Sequence, residues 1–92
     1  MNGKATVYKA DGTVINLERK PTLEECQEYV GGWIEIVHAT VFNPTFKGQM
    51  IVNEEGHMKG LPVNAVGSKI YGNPNWPIVG DIIVLEGNYK LR

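Results

Sequence analysis

Thr22-Leu23-Glu24-Glu25-Cys26-Gln27-Glu28-Tyr29-Val30-Gly31-Gly32, running straight into Trp33-Ile34-Glu35-Ile36-Val37-His38-Ala39-Thr40-Val41-Phe42, decides the fold. Pro21 closes the segment before it. Thr22 stands as an N-cap with Glu25 three residues on, the spacing of a capping box, in which the threonine oxygen takes one orphan N–H and the glutamate reaches back to another. Glu24 and Glu25 also place negative charge at the positive end of the helix dipole. Leu23, Cys26 and Val30 recur at i, i+3 and i+7, an apolar stripe on a helix. Gly31-Gly32 supplies the left-handed stop. The spacing predicts a helix from Leu23 to Val30. The run Trp33 to Phe42 is rich in β-branched and aromatic residues and free of Gly and Pro, which predicts the long central strand.

Outward from this pair the pattern stays β-rich. Lys4 to Lys9 alternates, with Ala5, Val7 and Lys9 on one face and Thr6, Tyr8 and Ala10 on the other. Asp11-Gly12 tolerates the positive φ of a two-residue hairpin turn, and Thr13 to Leu17 resumes as the second strand. After the loop Asn43 to Gly48, Gln49 to Asn53 returns as a strand antiparallel to the central one, and Glu54-Glu55-Gly56 turns the chain. His57 to Gly80 is the least regular region. In it Asn64 caps a short helix reaching Ile70 and Tyr71, interrupted by Gly67, and Gly72 to Pro77 is irregular. Ile82 to Glu86 reads as a buried strand ending at Gly87. The order β-β-α-β-β-(short α)-β predicts an α+β fold: one domain over residues 1–92, with a mostly antiparallel sheet of about five strands, one packed helix and one short irregular helix.

Composition bounds the function. Ninety-two residues with 42% apolar and 21% charged side chains suit one soluble globular domain. Nine basic residues against ten acidic ones give no field to draw in a polyphosphate chain, so a nucleic-acid polymer is not the expected partner. The apolar runs are too short to span a membrane. Met1-Asn2-Gly3-Lys4 opens no apolar signal segment, which argues against secretion. One cysteine excludes an intramolecular disulfide and a thiolate-rich metal site.

Catalytic patterns are missing. His38 shares a strand face with Ile34 and Ile36 and reads as a packing residue, whereas His57 follows a turn as a solvated loop residue. Cys26 lies on the apolar helix stripe, where a free thiol behaves as a small hydrophobe rather than a nucleophile. Glu35 alternates with Trp33 and Val37 and could be buried, with a strand-edge or salt-bridge role favoured. Gly56-His57-Met58-Lys59-Gly60 has neither the spacing nor the trailing Lys-Ser/Thr of a phosphate loop. A hydrolase built from Glu54 or Glu55 with His57 is the weakest reading. No enzyme activity, metal or cofactor is expected.

The oddity is Trp76, flanked by Pro74 and Pro77 in a polar loop. Proline restricts itself and the residue before it, so the loop is stiff and suits a stacking platform. Trp76 either stacks against a ligand or subunit, or tucks back to cap one end of the core. The aromatic content and the strand edges point to self-association, with closed symmetry as the default.

Four ordered blocks, Val30-Gly31-Gly32-Trp33-Ile34-Glu35-Ile36-Val37, Ile51-Val52-Asn53-Glu54-Glu55-Gly56, Gly60-Leu61-Pro62-Val63-Asn64 and Ile78-Val79-Gly80-Asp81, resemble a family of small proteins encoded by bacteriophages and mobile elements and described only as a domain of unknown function. The resemblance covers Thr22 to Leu85 and fails between Val66 and Pro77. It implies the cytoplasm of an infected bacterial host. By analogy with viral sponge proteins, it also implies a non-enzymatic anti-defence protein that sequesters a small nucleotide signal of the cyclic-dinucleotide kind in a pocket between subunits. The contacts expected on that reading are Trp76 and Tyr71 for stacking, Lys59 and Lys69 for phosphate, and Asn53 and Asn64 for base edges. A protein–protein inhibitor or adaptor acting on a host factor is the alternative.

The capping box carries the first prediction. Thr22→Ala is expected to lower stability by about 1 kcal/mol, read as a lower urea midpoint at unchanged slope.

Overall fold

The computed structural model describes residues 3–39 and 42–91. Five strands and two helices follow in the order β1 (Gly3–Tyr8), β2 (Val14–Asn16), α1 (Leu23–Val30), β3 (Ile34–Val37), β4 (Gln49–Asn53), α2 (Ala65–Tyr71) and β5 (Ile82–Gly87). They form one sheet in the spatial order β2-β1-β5-β4-β3, with every pairing antiparallel. The α+β fold expected from the sequence is the fold observed.

Helix α1 forms where its end signals lie. The Glu25 N–H donates to Thr22 Oγ1 at 3.1 Å, and the Thr22 N–H donates to Glu25 Oε1 at 2.9 Å. Arg19 holds the same carboxylate through two N–H groups at 3.0 and 2.6 Å. That guanidinium, then the Thr22 N–H, keeps the Glu25 carboxyl below its ordinary range. Gly31 ends the helix at φ 81°, a left-handed conformation that glycine adopts without a Cβ clash. Cys26 and Val30 are buried against the sheet, whereas Leu23 in the first turn is exposed and Tyr29 packs in its place. Burial, and after it the Glu25 carboxylate, pushes the Cys26 thiol pKa up.

The sheet is covered on both sides. Ala5, Val7, Ile51, Ile83 and Leu85 meet α1 on one face. Met50, Val52 and Ile82 meet Ile78 on the other, with Ile70 and Tyr71 of α2 packed around them. Two-sided cover explains why Ala5, Thr6 and Val7 are all buried despite their alternation, and why β5 reads as an unbroken apolar run.

Three local expectations are corrected. The central strand is β5; the Trp33–Phe42 run yields only the four-residue edge strand β3. The chain leaves the sheet at His38 and turns at Ala39, whose carbonyl accepts from the N–H groups of Phe42 and Asn43 at 3.1 and 2.8 Å. Thr40 and Val41, the far end of that predicted strand, lie outside the described residues. The β1–β2 connection is also longer than two residues. Tyr8 pairs with Val14 and the Lys9 N–H bonds to the Thr13 carbonyl, which leaves Ala10, Asp11 and Gly12 as the loop, with Gly12 at φ 96°. A three-residue hairpin of this kind needs a left-handed residue in its last position. Finally, His38 is exposed, not packed with Ile34 and Ile36.

Gly67 is where α2 touches the sheet cover. A Cβ there would lie 2.7 Å from Ile82 Cδ1 and 2.9 Å from Ile78 Cγ2. Alanine gains about 1 kcal/mol of helix propensity, but overpacking a filled core costs roughly 1–3 kcal/mol. Gly67→Ala is expected to lower stability by about 1 kcal/mol net, seen as a lower thermal midpoint.

Candidate functional site

On the face of the sheet away from α1, a cleft of about 370 Å³ opens between β3 and the loop that follows α2. Strand alternation builds one wall. Register pairs Glu35 with Val52 and Val37 with Met50, so these four share the face opposite Ile34 and Ile36. Val52, Ile78 and Val79 are buried and give the cleft its apolar floor. Exposed Glu35, His38, Glu54, His57, Met58 and Trp76 surround it, with Tyr71 half-buried.

The Trp76 loop is held from three sides. Asn73 Oδ1 accepts from the Asn75 N–H at 2.9 Å, the Asx turn that a short polar side chain makes with its own backbone. Ser68 Oγ accepts from the Ile78 N–H at 2.9 Å and so ties the loop's far end to α2. The loop's aromatic ring then meets His57, with centroids 4.2 Å apart and planes inclined at 33°. Trp76 keeps 53% of its surface exposed and belongs to neither core cluster. Across the cleft, Phe42 packs edge-on against Tyr71 at 5.6 Å. Asn43 Nδ2 donates to the Ile70 carbonyl at 2.8 Å, where α2 ends.

Of the six contacts expected from the sequence, the fold brings Trp76 and Tyr71 into this cleft. Asn53 also lines it, but its side chain is engaged elsewhere: Nδ2 donates to the Val30 carbonyl at 3.0 Å and Oδ1 accepts from the Glu55 N–H at 2.7 Å. Lys59 sits 3.6 Å from Glu55 Oε1 and beside Gly32, and is not part of the lining. Lys69, exposed in the last turn of α2, is not part of it either. Asn64 is fully buried with all its side-chain groups in use. Its Nδ2 donates to the Tyr8 and Gly80 carbonyls at 2.8 and 2.9 Å, and its Oδ1 caps the Gly67 N–H at 2.9 Å.

His38, Glu35, Glu54, His57 and Met58 were not among the expected contacts. Strand alternation across the β3–β4 hairpin was the signal for Glu35, since it puts that residue on the face of Val52. Nothing in the sequence signalled the His57–Trp76 stack, because the two residues come together through separate loops. Among the described residues no lysine or arginine lines this cleft, and two carboxylates do. The arrangement offers an aromatic plane, an apolar floor and strong hydrogen-bond acceptors, a combination suited to a flat ligand bearing N–H donors.

Comparison with known proteins identifies the family. The chain belongs to DUF3846, described as a domain of unknown function. The DUF3846 match runs over residues 4–90, so every residue lining the cleft and every element, save Gly3 at the start of β1, falls within it. It bears out the resemblance to a family of unknown function and extends past both ends of the blocks that carried it. No curated protein and no solved structure gives a significant match.

Asn64 separates structural from ligand roles. Asn64→Asp keeps the acceptor for the Gly67 N–H but turns a carboxylate oxygen toward two carbonyls that lose their donor. The cost is expected to be about 3 kcal/mol, since unsatisfied buried groups cost roughly 1–3 kcal/mol each, measured as a lower denaturation midpoint.

Proposed function

We propose that this protein is a non-catalytic binder that sequesters a small nucleotide signal, with the base held in the Trp76 cleft. The observation that carries the reading is the half-exposed indole of Trp76, fixed by the Asn73 turn and backed by the His57 ring beside an apolar floor. A preset plane of this kind binds a base with little ordering cost. The carboxylates of Glu35 and Glu54 favour a base with an amino edge, which donates where they accept. The cleft volume of about 370 Å³ is in the range of small-molecule sites. The resemblance to phage and mobile-element proteins supports an anti-defence role in an infected bacterium. Competing with a host receptor would need a dissociation constant of about 1 nM, or about −12 kcal/mol.

A protein partner, either a host factor or a second copy of the chain, is the second reading. It is favoured by the outer edge of β3, whose backbone groups pair with nothing among the described residues, and by Trp33 beside it, 69% exposed. Exposed strand edges of this kind accept an added strand.

The test is a thermal-shift screen of nucleosides, nucleotides and cyclic dinucleotides, followed by denaturation of the complex and analysis of the released ligand. The expected result is a raised melting temperature and a ligand returned chemically intact. Stacking on an aromatic face is worth roughly 1–3 kcal/mol, so Trp76→Ala is expected to weaken binding by about five- to 150-fold at nearly unchanged melting temperature of the free protein. A panel in which no compound raises the melting temperature overturns the nucleotide reading in favour of a protein partner.

A further inference from the structure

A second cleft, of about 560 Å³, opens where the loop before β4 meets the segment after β5. Its charge is opposite to that of the first. Lys47 and Lys90 line it together with His38, and no carboxylate lines it among the described residues. The two ion pairs among those residues, Arg19–Glu25 and Lys59–Glu55, lie elsewhere, so neither lysine is neutralised by a described neighbour. Glu86, whose Cγ approaches Gly48, stays out of the lining and stands opposite Lys4 in the β1–β5 register.

Lys90 is held in place by the fold. Gln49 clamps the segment after β5 from both sides: its Nε2 donates to the Leu91 carbonyl at 2.7 Å, and its Oε1 accepts from the Leu91 N–H at 2.6 Å. Lys90, one residue before the clamp, donates from Nζ to the Lys47 carbonyl at 3.1 Å. One of the three ammonium donors is used there, which leaves two for a ligand. Two ammonium groups in one concave wall, with no carboxylate among its described lining residues, focus positive potential on whatever enters. Lysine recognises phosphate as a point charge, without the planar match a guanidinium would demand.

His38 lines both clefts. On one side of it lie the aromatic plane and the carboxylates, and on the other the lysines. We propose that the second cleft is a phosphate subsite in which Lys47, Lys90 and His38 take the phosphate groups of a nucleotide whose base occupies the Trp76 cleft. The proposal rests on the base-binding reading for its ligand, but the anion chemistry of the subsite stands on its own geometry.

The probes are guanosine, guanosine diphosphate and inorganic pyrophosphate, titrated against the wild-type protein and the Lys47→Gln/Lys90→Gln double variant by calorimetry and by amide chemical shifts. Both lysines are exposed, so the double variant is expected to keep its melting temperature. Guanosine is expected to bind both proteins equally. The diphosphate is expected to bind the wild type more tightly than guanosine does, and to lose about tenfold, or about 1.4 kcal/mol, in the double variant. That advantage should shrink at high salt, where exposed charges are screened. Pyrophosphate alone should shift the amides of Lys47, Gly48 and Lys90 in the wild type only. If guanosine binds but the double variant leaves diphosphate affinity unchanged, the phosphate subsite is overturned and the base cleft stands. If guanosine does not bind while pyrophosphate shifts those amides, the base cleft falls and the anion site stands. Pyrophosphate shifts that persist in the double variant, or that fall elsewhere on the protein, overturn the subsite.

Discussion

The side chain of Asn64 ties three parts of the chain at one buried point, where the β1–β5 pairing and the Val63–Val79 bridge also converge. It ends β1 through the Tyr8 carbonyl, holds the bend at Gly80 that leads into β5, and starts α2 by capping Gly67. Removed from water, each of those groups would cost free energy if left unpaired, so the amide stabilises mainly by preventing that cost. The consequences reach the cleft. With α2 fixed at its first turn, Ser68 can tie down Ile78, and the loop between them presents Trp76 outward.

Burial on both faces of β5 sets the second constraint. A strand covered on only one side could serve as an edge, but Ile82 to Leu85 bury both alternating sets of side chains and must lie between other strands. The last strand of the chain therefore sits at the centre of the sheet, between β1 and β4. Pairing β1 with β5 joins the two ends of the described chain, a connection of high loop-closure cost that slows folding.

Charge is sorted between the two clefts that His38 lines. Glu35 and Glu54 lie on one side of His38 and Lys47 and Lys90 on the other, though the formal net charge is only −1. Overall composition hides such sorting, because a near-neutral total says nothing of where each sign collects. Net charge bears on long-range attraction to a polyanion and not on the field inside one cleft. It leaves open a small ligand carrying both a donor-rich base and a phosphate.

Local signals were legible in the sequence. The capping box at Thr22, the glycine stop at Gly31, the Asn64 cap and the boundaries of α1 and β4 each depend on a few neighbouring residues, and each is found where the spacing put it. The blocks between Thr22 and Leu85 also carried the family. Tertiary structure decided the rest. Trp33 to Phe42 has a strong strand pattern, yet its length in the sheet depends on the turn at Ala39, which is set by contacts with α2. An isolated asparagine such as Asn64 gives no sign in the sequence of whether its amide faces solvent or three backbone groups. Lys59 and Lys69 lie near Trp76 in sequence but outside its cleft. Lys47 and Lys90, 43 residues apart, meet only because Gln49 draws the segment after β5 back onto β4. Caps and turns are written in short-range hydrogen bonding, which sequence displays. A binding surface is assembled by long-range pairing, which brings together residues whose separation along the chain carries no trace of their contact.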